Sequence, residues 1–328
     1  MSRDPKRGDE DRPAVPELDT SDMPVVPPSV QRAAVVKDGL EVAEKALERG
    51  DLQAVEAMTR ALTSFAPDEP RAWAMRARLQ RARGALDAAD QDEAKAILLM
   101  SHQIDATDPP LSLRERMLRF SQVVFLGGPA DRFVELGQMQ LAVMLEHGLE
   151  PRHKVLDIGC GALRAGLWLV KVLDPGSYFG IEPHRARLQF GVEHVLGRDL
   201  VEQRRPRFDH NTAFDFSVFG TPFDFVVARS VWTHASKTQI LAMLDGFVQH
   251  GAPGAVMLTS FLVPPSPEQD YQGEGWVGRS ESSPLGGLVG HDPKWVQSAC
   301  RERGLTVRAL PEHVVNKQIW LKIQVAKA

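Results

Sequence analysis

Beyond residue 150, apolar positions fall into short runs separated by segments of helical period, the alternation of a doubly wound α/β sheet. Runs at 155–158, 178–182, 207–210, 223–228 and 254–261 read as strands, with helices predicted over 163–173, 185–196 and 237–249. A helix over 293–304 then precedes 305–310 and 318–325, whose alternation predicts an antiparallel hairpin closing a seven-stranded sheet. Upstream, 113–125 and 131–148 read as two helices split by Gly127-Gly128-Pro129. Residues 1–30 are polar, charged and aperiodic, which predicts a disordered tail, and Pro24, Pro27 and Pro28 speak against a helix there.

From about residue 31 to 105 the pattern is helical and alanine-rich, with an internal echo. Gly50-Asp51-Leu52-Gln53-Ala54 recurs as Gly84-Ala85-Leu86-Asp87-Ala88, an offset of 34 residues and the period of tetratricopeptide (TPR) repeats. A small all-α TPR-like domain is expected, leaning on its neighbour because fewer than three repeats are visible. It would serve as a docking surface for a protein partner, for self-association, or as a structural cap. Arg71, Arg76, Arg78, Arg81 and Arg83 read as a solvated helix face. Residues 105–110 read as the linker to a second domain over 111–328.

Composition narrows the class only a little. The 328 residues are 43% hydrophobic and 25% charged, as in an ordinary globular protein. A formal net charge of −4 gives no general field for a nucleic acid. Two cysteines, Cys160 and Cys300, exclude a disulfide framework or a cysteine-built zinc cluster. The start of the chain has no secretory apolar core, and no apolar stretch reaches bilayer length, so a cytoplasmic location without membrane contact is expected.

The chemistry concentrates at V-L-D-I-G-C-G-A-L-R-A-G, residues 155–166. A buried strand, a tight bend and a helix start form the crevice where α/β folds hold nucleotide-like ligands. Gly159 and Gly161 let the backbone approach a ligand, and Cys160 between them is small enough to fit. Asp157 stands before the bend and Arg164 replaces the third glycine of a dinucleotide fingerprint. A carboxylate at that point suits a cationic ligand better than a pyrophosphate. Glu182 ends the second strand about 20 residues on, where an acid can accept ribose hydroxyls.

D-I-G-C-G resembles motif I of the class I S-adenosylmethionine (SAM) dependent methyltransferases. The bacterial subset with G-C-G-x-L-R in that motif is also matched by Ser230-Val231-Trp232-Thr233-His234 and by Gln318-Ile319-Trp320-Leu321. The resemblance runs from residue 136 to the end. It implies a Rossmann-like fold, SAM as cofactor, and methyl transfer to an oxygen or nitrogen of a small or medium-sized acceptor of glycan or secondary-metabolite type. It further implies cofactor contacts from Asp157, Gly159, Cys160, Gly161, Arg164, Glu182, Pro183 and Arg229, with an adenine partner among Asp209, Asn211 and Asp215. Of these three, Asp215 is flanked by Phe214 and Phe216, suited to a flat heterocycle. Helices over 111–150 would form a lid in which Arg132, Gly137 and Gln138 face the cofactor, and the loop over 264–290 would cover the acceptor. His234 is the candidate general base. No metal is expected, since Asp209 and His210 lack a second carboxylate at a matching strand end. No Asp/Asn-Pro-Pro-Tyr signature of nucleic-acid methylation follows the fourth strand. Two other readings remain open: an NAD-binding oxidoreductase, and a non-catalytic interaction protein on a Rossmann-like scaffold.

Overall fold

A computed structural model describes residues 28–278, 287–315 and 317–326. Most of the expected tail lies outside these residues. Its last three belong to a helix, since α1 runs Pro28–Glu48 and a proline suits the first turn, where its missing N–H is not needed. With α2 (Leu52–Phe65), α3 (Pro70–Ala82) and α4 (Leu86–Asp105) it makes two helical hairpins. The two tight turns are superimposable in their bonding. Gly50 and Gly84 both sit at φ +74°, and the N–H groups of Gly50 and Asp51 bond Leu47 O and Ala46 O as those of Gly84 and Ala85 bond Arg81 O and Gln80 O. Only a glycine adopts that left-handed conformation without strain.

Of the arginines expected to form a solvated face, Arg78 and Arg83 are exposed, while Arg71, Arg76 and Arg81 are partly buried, and four of the five tie α3 to its neighbours. Arg76 pairs with Asp92 at 2.7 Å, Arg81 with Asp90 at 2.9 Å, Arg78 with Glu44 at 2.9 Å and Arg83 with Glu56 at 2.8 Å, each joining one helix to another. Arg71 alone pairs locally, with Glu69.

After α5 (Leu113–Phe120) and α6 (Phe133–Glu146) comes the sheet. Its strands are β1 (Val155–Ile158), β2 (Tyr178–Ile181), β3 (Arg207–Asp209), β4 (Phe223–Ala228), β5 (Gly251–Phe261), β6 (Leu305–Val315) and β7 (Gln318–Val325). They lie in the order β3-β2-β1-β4-β5-β7-β6, with β1 to β5 parallel and β7 antiparallel to both its neighbours. The chain reverses direction across the sheet between β1 and β4, which opens a crevice at their carboxyl ends. Side chains alternate faces. Phe225 and Val227 join the core on one side, Val226 and Ala228 the core on the other.

The first of those cores does not stop at the α/β part. Ala96, Ile97 and Met100 of α4 pack in one cluster with Phe120, Leu163 and Phe190, so the helical hairpins are fused to the sheet's flank. The remaining helices are α7 (Gly166–Val172), α8 (Arg185–Phe190), α9 (Arg198–Arg204), α10 (Lys237–His250) and α11 (Pro293–Arg301). Helix α7 starts later than the apolar pattern suggests, because Leu163 takes φ 61° inside the bend. Helix α9 has no fully buried residue to mark it, and it escapes the sequence pattern. Among the described residues no helix is long and apolar enough to cross a membrane.

Candidate active site

A cavity of about 560 Å³ opens at the carboxyl ends of β1, β2 and β4, roofed by residues 125–128 and by α6. Ligand pockets of this size hold drug-sized molecules. Its floor is the glycine bend. Gly159 and Gly161 have φ of 66° and 58°, and a Cβ at Gly159 would stand 2.8 Å from Val231 Cγ2. Cys160 is buried, and burial pushes its thiol pKa well up. Its Sγ fills the space where a Cβ on Gly180 would collide at 2.8 Å.

The two acids differ in how they are held. Asp157 is buried and receives one hydrogen bond, from the Tyr178 hydroxyl at 2.8 Å. Burial raises its carboxyl to about 7, helped by the Glu182 charge and opposed by the Tyr178 bond. An acid so placed is short of a cation. Glu182 is instead tied up by the protein. Gly161 N–H donates to Oε2 at 3.0 Å, while His184 N–H and Arg187 Nη1 donate to Oε1 at 2.9 and 3.1 Å. A carboxylate has about four acceptor sites, so about one remains, on Oε2.

Arg164 lines the cavity, yet three of its N–H bonds go to the roof. The guanidinium donates to the carbonyls of Leu126, Gly127 and Gly128 at 2.6 to 2.8 Å, which fixes the 125–128 loop over the bend. Burial lowers its pKa to about 10. At the opposite end Arg229 donates to Ser260 Oγ at 3.0 Å and to Gln318 Oε1, and lies 5.5 Å from the Trp320 ring centre. Gln318 Nε2 returns a bond to Ser230 Oγ at 3.0 Å. The ends of β4, β5 and β7 are thereby knitted into one polar wall.

His234 follows β4 and lines the same cavity. Its Nδ1 lies 2.6 Å from Val277 O. A carbonyl only accepts, so Nδ1 carries the proton and Nε2 is left with the lone pair. The ring stacks on Trp276 at 5.4 Å, and Val277 N–H bonds back to His234 O. Burial pulls its pKa below the usual imidazole value.

Of the residues expected from sequence, Asp157, Gly159, Cys160, Gly161, Arg164, Glu182, Pro183, Arg229 and His234 come together around this space. Asp215 does not. It is exposed and accepts from Ser217 N–H, and Asp209 and Asn211 bond each other. Thr212 and Phe214 reach the cavity from that loop instead, Phe214 with φ 56°, while Phe216 is buried in the core. The lid residues differ as well. Arg132 pairs with Glu135 at 2.9 Å, and Gly137 lies where a Cβ would meet Arg164 O at 2.3 Å. Leu136, Met139, Gln140 and Val143 line the cavity from α6. The 3.6-residue period of that helix could have pointed to this face. Part of the 264–290 loop lies outside the described residues; its Trp276 and Leu288 border the cavity, whereas Tyr271 bonds Gly275 O. Sequence reading also missed Arg187, and His291, whose Nε2 lies 3.1 Å from the carbonyls of both Trp232 and Ala235 under the His234 turn.

The donor set suits SAM. A buried acid without a cation faces a bend that side chains would block, with a second acid keeping one free acceptor site. Residues 156–257 match a family model described as a methyltransferase domain. Among solved structures, an O-methyltransferase family protein from Burkholderia thailandensis is 16% identical, with 73% of this chain and 72% of that chain covered and a TM-score of 0.45. Magnesium protoporphyrin IX methyltransferase from Synechocystis PCC 6803 with bound SAM is 14% identical, covering 67% of this chain and 100% of that one at a TM-score of 0.44. A complex of DhpI with SAH (S-adenosylhomocysteine) is 13% identical, covering 70% and 98% at 0.43. Likenesses at this level say nothing of the acceptor. The matched segment starts within β1 and ends within β5, so both acids, the glycine bend and His234 all lie inside the part of the chain that matches a methyltransferase domain.

Proposed function

We propose that the enzyme methylates an oxygen or nitrogen nucleophile of a small or medium-sized acceptor, with Asp157 facing the cofactor's ammonium group and Glu182 Oε2 facing a ribose hydroxyl. Phe214 and Thr212 take the adenine end, and His234 is the base. The observation that carries this reading is the meeting, in one cavity, of a cation-starved buried acid and a histidine whose proton is parked on Nδ1. The chemistry SAM supplies when bound is an electrophilic methyl group with a neutral thioether as leaving group. The protein's work is then alignment and proton removal. His234 Nε2 accepts the acceptor's proton, Val277 O steadies the resulting imidazolium through Nδ1–H, and the Trp276 ring holds the imidazole plane.

The acceptor end is walled by Trp276, Trp320, Met139 and Val314, with the polar wall of Arg229, Ser230 and Gln318 behind. That lining favours a largely apolar, flat acceptor with a polar nucleophile. The 34-residue recurrence of turn geometry supports reading residues 31–105 as a TPR-like pair of hairpins.

Titration calorimetry tests the cofactor assignment. SAH is expected to bind at micromolar dissociation constant and NAD not at all. A panel of phenols, amines and sugars with radiolabelled SAM then identifies the acceptor. No SAH binding at about 1 mM, which corresponds to only about 4 kcal/mol, would sink the reading.

A further inference from the structure

The acid Glu182 is not held by the α/β part alone. Two of its three bonds come from the segment 184–187, which opens α8. His184 caps that helix: its Nδ1 accepts from Arg187 N–H at 3.3 Å. The proton of a neutral His184 therefore sits on Nε2, and Nε2 lies 3.2 Å from Oε2 of Glu93 on α4. The same Glu93 oxygen accepts from Arg81 Nη2 at 3.0 Å, and Arg81 Nη2 also donates to Asp90 at 2.9 Å. Glu93, His184, Arg187 and Glu182 are all buried.

The setting of Glu93 argues for a purpose beyond docking. Around it the junction between α4 and α8 is apolar, with Ala96, Ile97 and Phe190 in one cluster. Apolar side chains would join the two elements as firmly, without the cost of burying a charge. Burial alone would raise the Glu93 carboxyl, yet His184, Arg81 and Arg187 outweigh it and hold the carboxyl below its usual range. Asp90, Glu93 and His184 stand close enough to hold a metal ion, but Arg81 already bridges the two carboxylates as a cation. The cluster is a chain of ion pairs and hydrogen bonds that leads from α3 and α4 to Glu182.

We infer that Glu93 is a positioning residue for the cofactor site: through His184 and the first turn of α8 it holds Glu182 in place, so the helical hairpins are part of that site and not a separable module. The inference rests on the reading of Glu182 as a cofactor contact. Without Glu93 the His184 Nε2–H and Arg81 lose a shared acceptor, the 184–187 turn loosens, and the two donors on Glu182 Oε1 loosen with it. Both bonds fall on a single Glu93 oxygen, so a glutamine placing its amide oxygen there preserves them.

The test uses the full chain and SAH. Wild-type binding checks the cofactor reading; the variants check the inference. Glu93→Ala is expected to weaken SAH binding about tenfold or more, equivalent to about 1.4 kcal/mol, whereas Glu93→Gln stays within about threefold. Arg78→Ala, which removes an ion pair between α1 and α3, controls for general loosening of the helices and should leave the affinity unchanged. A folded Glu93→Ala with wild-type affinity overturns the inference, as does Glu93→Gln falling with it or Arg78→Ala weakening binding equally. Should Glu93→Ala fail to fold, hydrogen exchange of the wild type decides. Coupling is reciprocal, so SAH must slow amide exchange in residues 86–105. Unchanged exchange there, alongside protection of the glycine bend, overturns it.

Discussion

Replacing Asp157 by asparagine separates charge from shape at the proposed cofactor site. The amide oxygen can still accept the Tyr178 hydroxyl bond of 2.8 Å, so the core around it need not move. What disappears is a carboxylate whose pKa burial has lifted to about 7. A cationic ligand binds the ionised form, so the wild-type dissociation constant for SAH should be about tenfold weaker at pH 6 than at pH 8. At pH 6.5 binding should release about three-quarters of a proton, measured by calorimetry in buffers of different ionisation enthalpy. Asp157→Asn should abolish both effects. It should also weaken binding at pH 7.5 by about 1.5–3 kcal/mol, the worth of a charged hydrogen bond. The unliganded enzyme should show the reverse linkage. A carboxyl raised in the folded state keeps its proton from about pH 4 to 7 while the unfolded chain has lost it, so stability falls as pH rises through that window. The melting temperature of wild type should therefore drop between pH 5 and 8, and that of Asp157→Asn should drop less. A wild-type affinity independent of pH, with no proton release, would refute the reasoning.

Two further outcomes test neighbouring parts of the site. His234→Ala should lower kcat by about 100-fold to 1,000-fold with SAH affinity retained, and added imidazole should restore part of it. The wild-type kcat should fall only below the usual imidazole value near 6.5, because burial lowers the His234 pKa; an unchanged kcat in the variant would remove His234 as base. Gly137→Ala puts a methyl 2.3 Å from Arg164 O and 2.8 Å from the Trp168 ring. It should cost about 1–3 kcal/mol and lower the melting temperature by about 5 °C, read by calorimetry, since the backbone must shift.

Much of the site could be read in order along the chain. Val155–Ile158 and Phe223–Ala228 are mostly apolar and mostly buried on both faces, each with one aspartate, and such runs declare themselves wherever they occur. The bend needed glycine at two positions with positive φ, and Glu182 had to follow the next parallel strand, so local geometry set their spacing. The segment expected to form a lid was legible as helices but not as a lining face: α6 turns Met139, Gln140 and Val143 to the cavity and not Gln138, and Arg132 lies before its start. In the 209–216 loop no period existed to read. Phe214, at φ 56°, lines the cavity while Asp215 points to solvent.

The sequence by itself determined the order of the strands and of every helix that follows β1 except α9, the glycine bend with its two flanking acids, and the 34-residue recurrence of the helical turns, because each follows from contacts between near neighbours. Tertiary structure alone decided what those groups bond to. Arg164 meets the carbonyls of residues 126–128, Gln318 meets Arg229 and Ser230, and Glu93 meets His184. Each pair is far apart in the chain, and a buried polar group takes whichever partner the packing of distant elements brings within reach.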